Sequence, residues 1–429
     1  RVWALFAQSC AACLMSHKQH ATEPAAVDRE VFIPQHDVWG KRQRRVLILC
    51  TGGTLTMAPN EDLGGGLAPV EGMLTKFLAE DFHELKQPHM PETQIQEFDP
   101  LLDSSDMGPA DWVRVAETIA RHYLQFDGFV VVMGTDTMAY VSSALSFMLE
   151  NLGKPVILTG SQIPLWQPQT DARRNLIMAI IFASRDTICE VAIFFHDRLI
   201  RGCRATKVNT HRLNAFDSPN FPSLAHVGIS IEEASHLFMP QARGALRLHR
   251  NMDTRLLAVR LVPGFDDSVL RSAITCGDIG LRAVVLQLFG TGNLPSVKTS
   301  LLETLTEARQ KGILVVVTTQ CLTGAAMLGK YAVGHALASA GVVSGGDMTL
   351  EAVSSKLAYL FGRGDLSLNE VADLMLVPLR GEVSCQSQYD EMNVAMATSG
   401  LFPNVGARPK ETKWPGVSRE ELVSVRSNL

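Results

Sequence analysis

The chain is 429 residues long, room for about three domains of ~150 residues or two larger ones. Charged residues make up 19% and apolar residues 46%, the balance of a folded protein with a full core rather than of a disordered chain. A formal charge of −5 without any Lys/Arg stripe argues against a nucleic-acid partner, and no apolar run reaches the ~18 residues of a membrane-spanning helix, so neither nucleic acid nor membrane is expected as a partner.

In chain order, residues 1–45 come first and read as a disordered extension. Cys10, Cys13, His17 and His20 are metal-ligand types, but only three residues separate the two pairs, where a zinc finger needs about 12. No metal and no cofactor are expected. The apolar stretch "VWALFA" is shorter than a signal-peptide core, so secretion is not expected either. Most of the eight cysteines sit inside apolar runs such as "VLILC" instead of at the spacings of a disulfide framework, which implies a reducing, cytoplasmic compartment.

From residue 45 the pattern is regular. "RVLILC", "TQIQEF", "FVVVMG" and "PVILTG" are strand-like runs separated by helical-period stretches, "DWVRVAETIARHYL" and "AYVSSALSFMLENLG". That alternation predicts an α/β domain with a mainly parallel sheet flanked by helices. A second series, "LLAVRLVPG", "LRAVVLQLFG" and "ILVVVTTQ", interleaved with "SVKTSLLETLTEARQKG" and "LEAVSSKLAYLFGRG", predicts a smaller one. The expected boundaries are 46–231 for the larger domain, 232–254 for a linker, 255–395 for the smaller domain and 396–429 for a tail.

In an open parallel sheet, ligands bind beyond the carboxyl ends of the strands. Three of those ends carry polar residues: "TGGT" at 51–54, "LLDSSDM" at 101–107 and "GTDT" at 134–137. Each alone reads as a turn or a helix cap, with Asp136 near an N-cap position. Together they supply more hydroxyls and carboxylates than capping requires and describe a pocket for a small polar substrate. A threonine is a nucleophile only if a base takes its proton and backbone N–H groups hold the oxyanion. The "TGGT" turn offers such groups beside Thr54. Lys207, in "RGCRATKVNTHR", is a candidate base, although a single lysine is more often solvated surface charge.

Seven segments carry a resemblance: "TGGTLTM" from 51, "PLLDSSDMGPADW" from 100, "DGFVVVMGTDTMAYVSSALSFMLENLGKPVILTGSQIP" from 127, "RGCRATKV" from 201, "AFDSPNFP" from 215, "FGTGNLP" from 289 and "GGDMTLEA" from 345. In these the chain resembles the type I, cytosolic-type L-asparaginases, threonine amidohydrolases that split L-asparagine into L-aspartate and ammonia. The resemblance implies that Thr54 is the nucleophile, that Thr135, Asp136 and Lys207 form a proton-handling cluster, and that Asp103, Ser104, Ser105 and Asp136 hold the substrate's α-carboxylate and α-ammonium. It also implies a homodimer or homotetramer in which Asn293 is lent to a neighbouring subunit's site. Glutamine or another amide as substrate is the alternative within the family, and a catalytically weak ligand-binding homologue is the alternative outside catalysis.

Two positions depart from the family pattern. Leu67 stands where many members place a tyrosine beside the nucleophile, and Gln287 where bacterial members carry an effector-site arginine. Three consecutive glycines in "EDLGGGL" offer hinge material for a closing loop. Lysophospholipase chemistry has no residue basis here, because the chain has no G-x-S-x-G elbow. "TGGT" likewise lacks the spacing of a nucleotide-binding turn.

Overall fold

A computed structural model describes residues 43–61, 64–276, 280–295, 299–328 and 332–384. The expectations for residues 1–42 and 385–429 lie outside the described residues.

The elements, in chain order, begin with strand β1 (Arg45–Gly52), the hairpin β2 (Met57–Asn60) and β3 (Gly66–Pro69), helix α1 (Met73–Glu80) and β4 (Glu92–Leu102). Helix α2 (Pro109–His122), β5 (Gly128–Val132), α3 (Met138–Met148), β6 (Leu149–Glu150), β7 (Val156–Thr159) and α4 (Ala172–Ala183) follow. Next come β8 (Val191–Phe195), β9 (Arg198–Arg201), β10 (Thr206–Lys207), β11 (Phe216–Asp217), β12 (Ala225–Val227), β13 (Ile231–Glu233) and β14 (Arg247–Leu248). The remainder is β15 (Leu256–Arg260), α5 (Asp267–Thr275), β16 (Ala283–Leu288), α6 (Thr299–Gln310), β17 (Leu314–Thr319), α7 (Ala332–Ser339), β18 (Val343–Ser344), α8 (Leu350–Arg363) and α9 (Leu368–Leu374).

The first sheet has eight strands in the order β13-β12-β9-β8-β7-β5-β1-β4. β4, β1, β5, β7 and β8 run parallel, and β9, β12 and β13 extend the sheet antiparallel. Side chains alternate across a strand, and β1 shows it. Leu47 and Leu49 enter a core with Val115, Ile119 and Leu145 of α2 and α3, while Val46, Ile48 and Cys50 enter the opposite core with Leu176 and Ile180 of α4. Burial on both faces is why these strands read as unbroken apolar runs.

The smaller sheet, β15-β16-β17-β18, is wholly parallel. α5 and α6 cover one face and α8 the other. Phe147 of α3 shares a core with α8 and stacks on Tyr359, ring centroids 5.8 Å apart, so the two sheets meet through α3 and α8.

Two stretches differ from the periodicity reading. The helix predicted across "AYVSSALSFMLENLG" stops at Met148, and Leu149 and Glu150 turn into β6, which pairs with β14. The polar stretch after β13 therefore carries a strand of its own. Two-residue strands leave no period to detect.

Candidate active site

Because β4, β1 and β5 are adjacent and parallel, the turns that follow them lie side by side on one sheet edge. Glycine is what allows them to touch. A Cβ at Gly53, whose φ is +89°, would sit 2.2 Å from the Gly134 nitrogen, and one at Gly134 would sit 2.4 Å from Ser104 Oγ. At Gly52 it would meet the Leu102 carbonyl oxygen at 2.4 Å. Gly53 thus lies on the Gly134 backbone and Gly134 on the Ser104 side chain, with Thr54 one residue beyond one contact and Thr135 one residue beyond the other.

Thr54 opens a 3-10 turn and is half-buried, while Leu55 and Thr56 behind it are buried. Thr56 Oγ1 donates to the Gly53 carbonyl at 3.1 Å, and Thr51 Oγ1 to that of Val132 at 3.2 Å. The flanking hydroxyls are therefore engaged in holding the turn.

Across the contact, Lys207 Nζ donates to Thr135 Oγ1 at 2.8 Å and to Asp136 Oδ1 at 2.5 Å. The lysine side chain is only 16% exposed, the aspartate 66%. That settles the capping question. The N-cap of α3 is Thr137, which makes no side-chain cap and sends its hydroxyl to the Ser104 carbonyl at 2.6 Å, while the Asp136 carboxylate faces Lys207.

The third turn is organised by Asp103, whose Oδ1 accepts from both the amide and the hydroxyl of Ser105 at 2.8 Å. Ser104 is buried between the turns, Asp103 is half-buried and Ser105 is exposed. Hydrogen bonds and backbone contact thus join Thr54, Asp103, Ser104, Ser105, Thr135, Asp136 and Lys207 in one cluster. Asn293 is not among them. It is half-buried in a turn beyond β16, where its amide donates to the Phe289 carbonyl at 2.8 Å.

Gln162 is the residue that sequence reasoning passed over. It follows β7, the fourth consecutive parallel strand, and its Oε1 accepts from Thr135 Oγ1 at 3.3 Å while its Nε2 donates to the Arg212 carbonyl at 3.2 Å. The strand-end rule that singled out the other turns applies equally to "PVILTGSQIP". From the same segment, Trp166 Nε1 donates to the Met57 carbonyl at 3.0 Å and anchors the root of the β2–β3 hairpin. Leu67, on β3, is 44% exposed and has no hydroxyl to offer Thr54.

Among the described residues, no group of three or more His, Cys, Asp and Glu side chains is placed to hold a metal ion, and no helix is long and apolar enough to cross a membrane.

A two-sheet α/β chain whose hydroxyl-bearing strand ends meet a lysine is the arrangement of a threonine-type amidohydrolase, and comparison with known proteins makes the class specific. The family model "Asparaginase, N-terminal" matches residues 45–238, and "Glutaminase/Asparaginase C-terminal domain" matches residues 255–375. L-asparaginase 1 of Escherichia coli K12 is 43% identical over 345 residues, covering 80% of this chain and 99% of the relative. The 60 kDa lysophospholipase of Mus musculus is 42% identical over 359 residues, 80% of this chain but 63% of that longer protein. The crystal structure of L-asparaginase I from Vibrio cholerae superposes with a TM-score of 0.73 at 42% identity, over 80% of this chain and all of that one. The chain belongs to the asparaginase family.

Proposed function

We propose that the protein is an L-asparagine amidohydrolase that releases L-aspartate and ammonia through a threonine nucleophile. The observation that carries this reading is Lys207 Nζ within 2.8 Å of Thr135 Oγ1 and 2.5 Å of Asp136 Oδ1, on a turn that touches the turn of Thr54. A nucleophilic hydroxyl next to a hydroxyl–lysine pair that can relay its proton is what amide attack needs.

In the first half-reaction the Thr54 oxygen bonds to the side-chain amide carbon of asparagine. Its proton passes by way of Thr135 to Lys207 as the neutral amine, and the ammonium so formed returns a proton to the departing nitrogen as the C–N bond breaks and ammonia leaves. Backbone N–H groups of the glycine turn hold the oxyanion. In the second half-reaction water attacks the aspartyl ester, gives its proton to the same relay, and aspartate departs as Thr54 regains its hydrogen. Asp136 and Asp103 face the α-ammonium, the 103–105 turn holds the α-carboxylate, and Ser104 contributes by fixing that turn. Asn293 of a second copy completes the site in a homodimer or homotetramer. The free cysteines, such as Cys50 and Cys203 in the core, favour a reducing, cytoplasmic setting.

Purified protein is expected to release ammonia from L-asparagine, faster than from L-glutamine at equal concentration, and Thr54→Ala is expected to abolish the release. No release by the unaltered protein would leave the ligand-binding alternative standing.

A further inference from the structure

Lysine has a long, flexible stem, so holding its ammonium against two partners requires a fixed backbone. Lys207 has little backbone support. β10 consists of Thr206 and Lys207 alone and pairs only with the equally short β11. Upstream, the segment is clamped by guanidiniums. Arg201 pairs with Glu190, and Arg204, buried, donates to Asp347 Oδ2 at 2.8 Å and to the Gly381 carbonyl at 2.7 Å. Those clamps end two residues before Thr206.

Downstream, the Val208 N–H donates to the Ala215 carbonyl at 2.8 Å. The side-chain anchor of the strand comes from the other sheet's helix. Neighbouring side chains on a strand point opposite ways, so while Lys207 faces Thr135 and Asp136, Thr206 faces α8, where its Oγ1 donates to Glu351 Oε1 at 2.7 Å. Glu351 lies in the first turn of α8, a place where acidic side chains usually serve the exposed helix end. Here that duty is taken by Thr349, whose hydroxyl accepts from the Ala352 amide. Glu351 is instead buried, 9% exposed. Burial pushes its carboxyl up from the usual range, opposed by hydrogen bonds from Thr206, its own backbone and Thr349, and no cation is among the influences on it. Its charge is also felt by Tyr140, in the first turn of α3, whose hydroxyl is pushed up to about 12 by burial first and by Glu351 second. Glu351 therefore stands beside both the strand that carries Lys207 and the helix that follows Asp136.

We propose that Glu351 is a positioning residue for Lys207, acting through the hydroxyl of Thr206 across the contact between the two sheets. The inference rests on the functional reading above and adds a residue to it from the smaller sheet's own helix. What the site asks of Glu351 is an acceptor at a fixed place, since among the described residues no cation pairs with it. An amide oxygen fills that requirement as well as a carboxylate does.

The test is steady-state ammonia release from L-asparagine by the full chain, with melting temperature measured alongside, for Glu351→Leu, Thr206→Val, their double variant and Glu351→Gln. Each of the first two is expected to lower kcat about tenfold through misplacement of the lysine. KM stays within about twofold, because the 103–105 turn is untouched. The double variant is expected to be no worse than either single one, as for two partners of one bond, and Glu351→Gln to keep kcat within about twofold of the unaltered enzyme. A general loosening of the fold would lower the melting temperature without that kcat–KM split or the rescue by glutamine. Unchanged kcat in Glu351→Leu and Thr206→Val, or Glu351→Gln as slow as Glu351→Leu, overturns this inference and leaves the amidohydrolase reading intact. Should Glu351→Leu fail to fold, Thr206→Val, which removes only the hydroxyl, decides on the same criteria. Absence of ammonia release by the unaltered enzyme overturns the functional reading and this one with it.

Discussion

Lys207 reaches Thr135 and Asp136 with one ammonium group, and the geometry assigns the two contacts different consequences. In the proposed reaction the bond to the mostly buried Thr135 hydroxyl lies on the proton path, while the Asp136 carboxylate is open to solvent on its far side. Lys207→Met keeps the stem and removes the ammonium, so kcat is expected to fall by about 10²- to 10⁴-fold, the usual worth of a proton-transfer group. Melting temperature is expected to change little, since Asp136, two-thirds exposed, is re-solvated when the ammonium is removed; kinetics and thermal unfolding of the same sample check both. Thr54, Thr135 and Asp136 were legible in the sequence because hydroxyls and an acid after apolar strands are hard to explain by capping alone. Gln162 was not, because a glutamine in a loop carries neither charge nor reactivity to flag it. Lys207 was singled out as a base through resemblance, since nothing in the sequence separates it from the other lysines.

At the scale of elements, the site depends on three turns meeting closely, with glycines at the points of contact. Gly53→Ala places a methyl where the Gly134 backbone already is, in a conformation that alanine rarely adopts. The turns must then separate. A loss of about 100-fold in kcat is expected from the displacement of Thr54, with destabilisation of about 1–3 kcal/mol from the strained backbone, measurable by urea unfolding. Gly64→Ala is the contrast, because a Cβ there meets nothing and only the conformational term remains. The central strands β1, β5 and β7 were legible for the reason that they are buried on both faces. The two-residue pairs β6 with β14 and β10 with β11 were not, since their register is imposed by the surrounding packing and their length leaves no pattern.

Arg204 and Asp347 tie the larger sheet to the smaller, and a second buried ion pair holds α8 within the smaller sheet's own region. Lys356 of α8 and Glu382 are both fully buried, 2.5 Å apart, and the ammonium also donates to the carbonyls of Met375 and Val377. Burial pushes the Lys356 ammonium down, and Glu382 opposes that shift. Lys356→Met leaves a buried carboxylate unpaired and is expected to cost about 3–5 kcal/mol, most of it recovered when Glu382→Gln is added, because an unpaired charge is the larger part of the penalty. Chemical denaturation of the single and double variants checks this. The alternation of strands and helices made both sheets legible. The join between them was hidden, because charged residues are ordinarily read as surface and the partners Arg204 and Asp347 share no local pattern.

The central claim is that Thr54 carries the acyl group while Thr135 and Lys207 move the proton. Acid-quenching the enzyme during turnover of L-asparagine and mapping its peptides by mass spectrometry tests it most directly. The account predicts an aspartyl ester on the peptide at Thr54, absent from Thr54→Ala and accumulating less in Lys207→Met. Steady ammonia release by Thr54→Ala, or an ester on Thr135 instead, would contradict it.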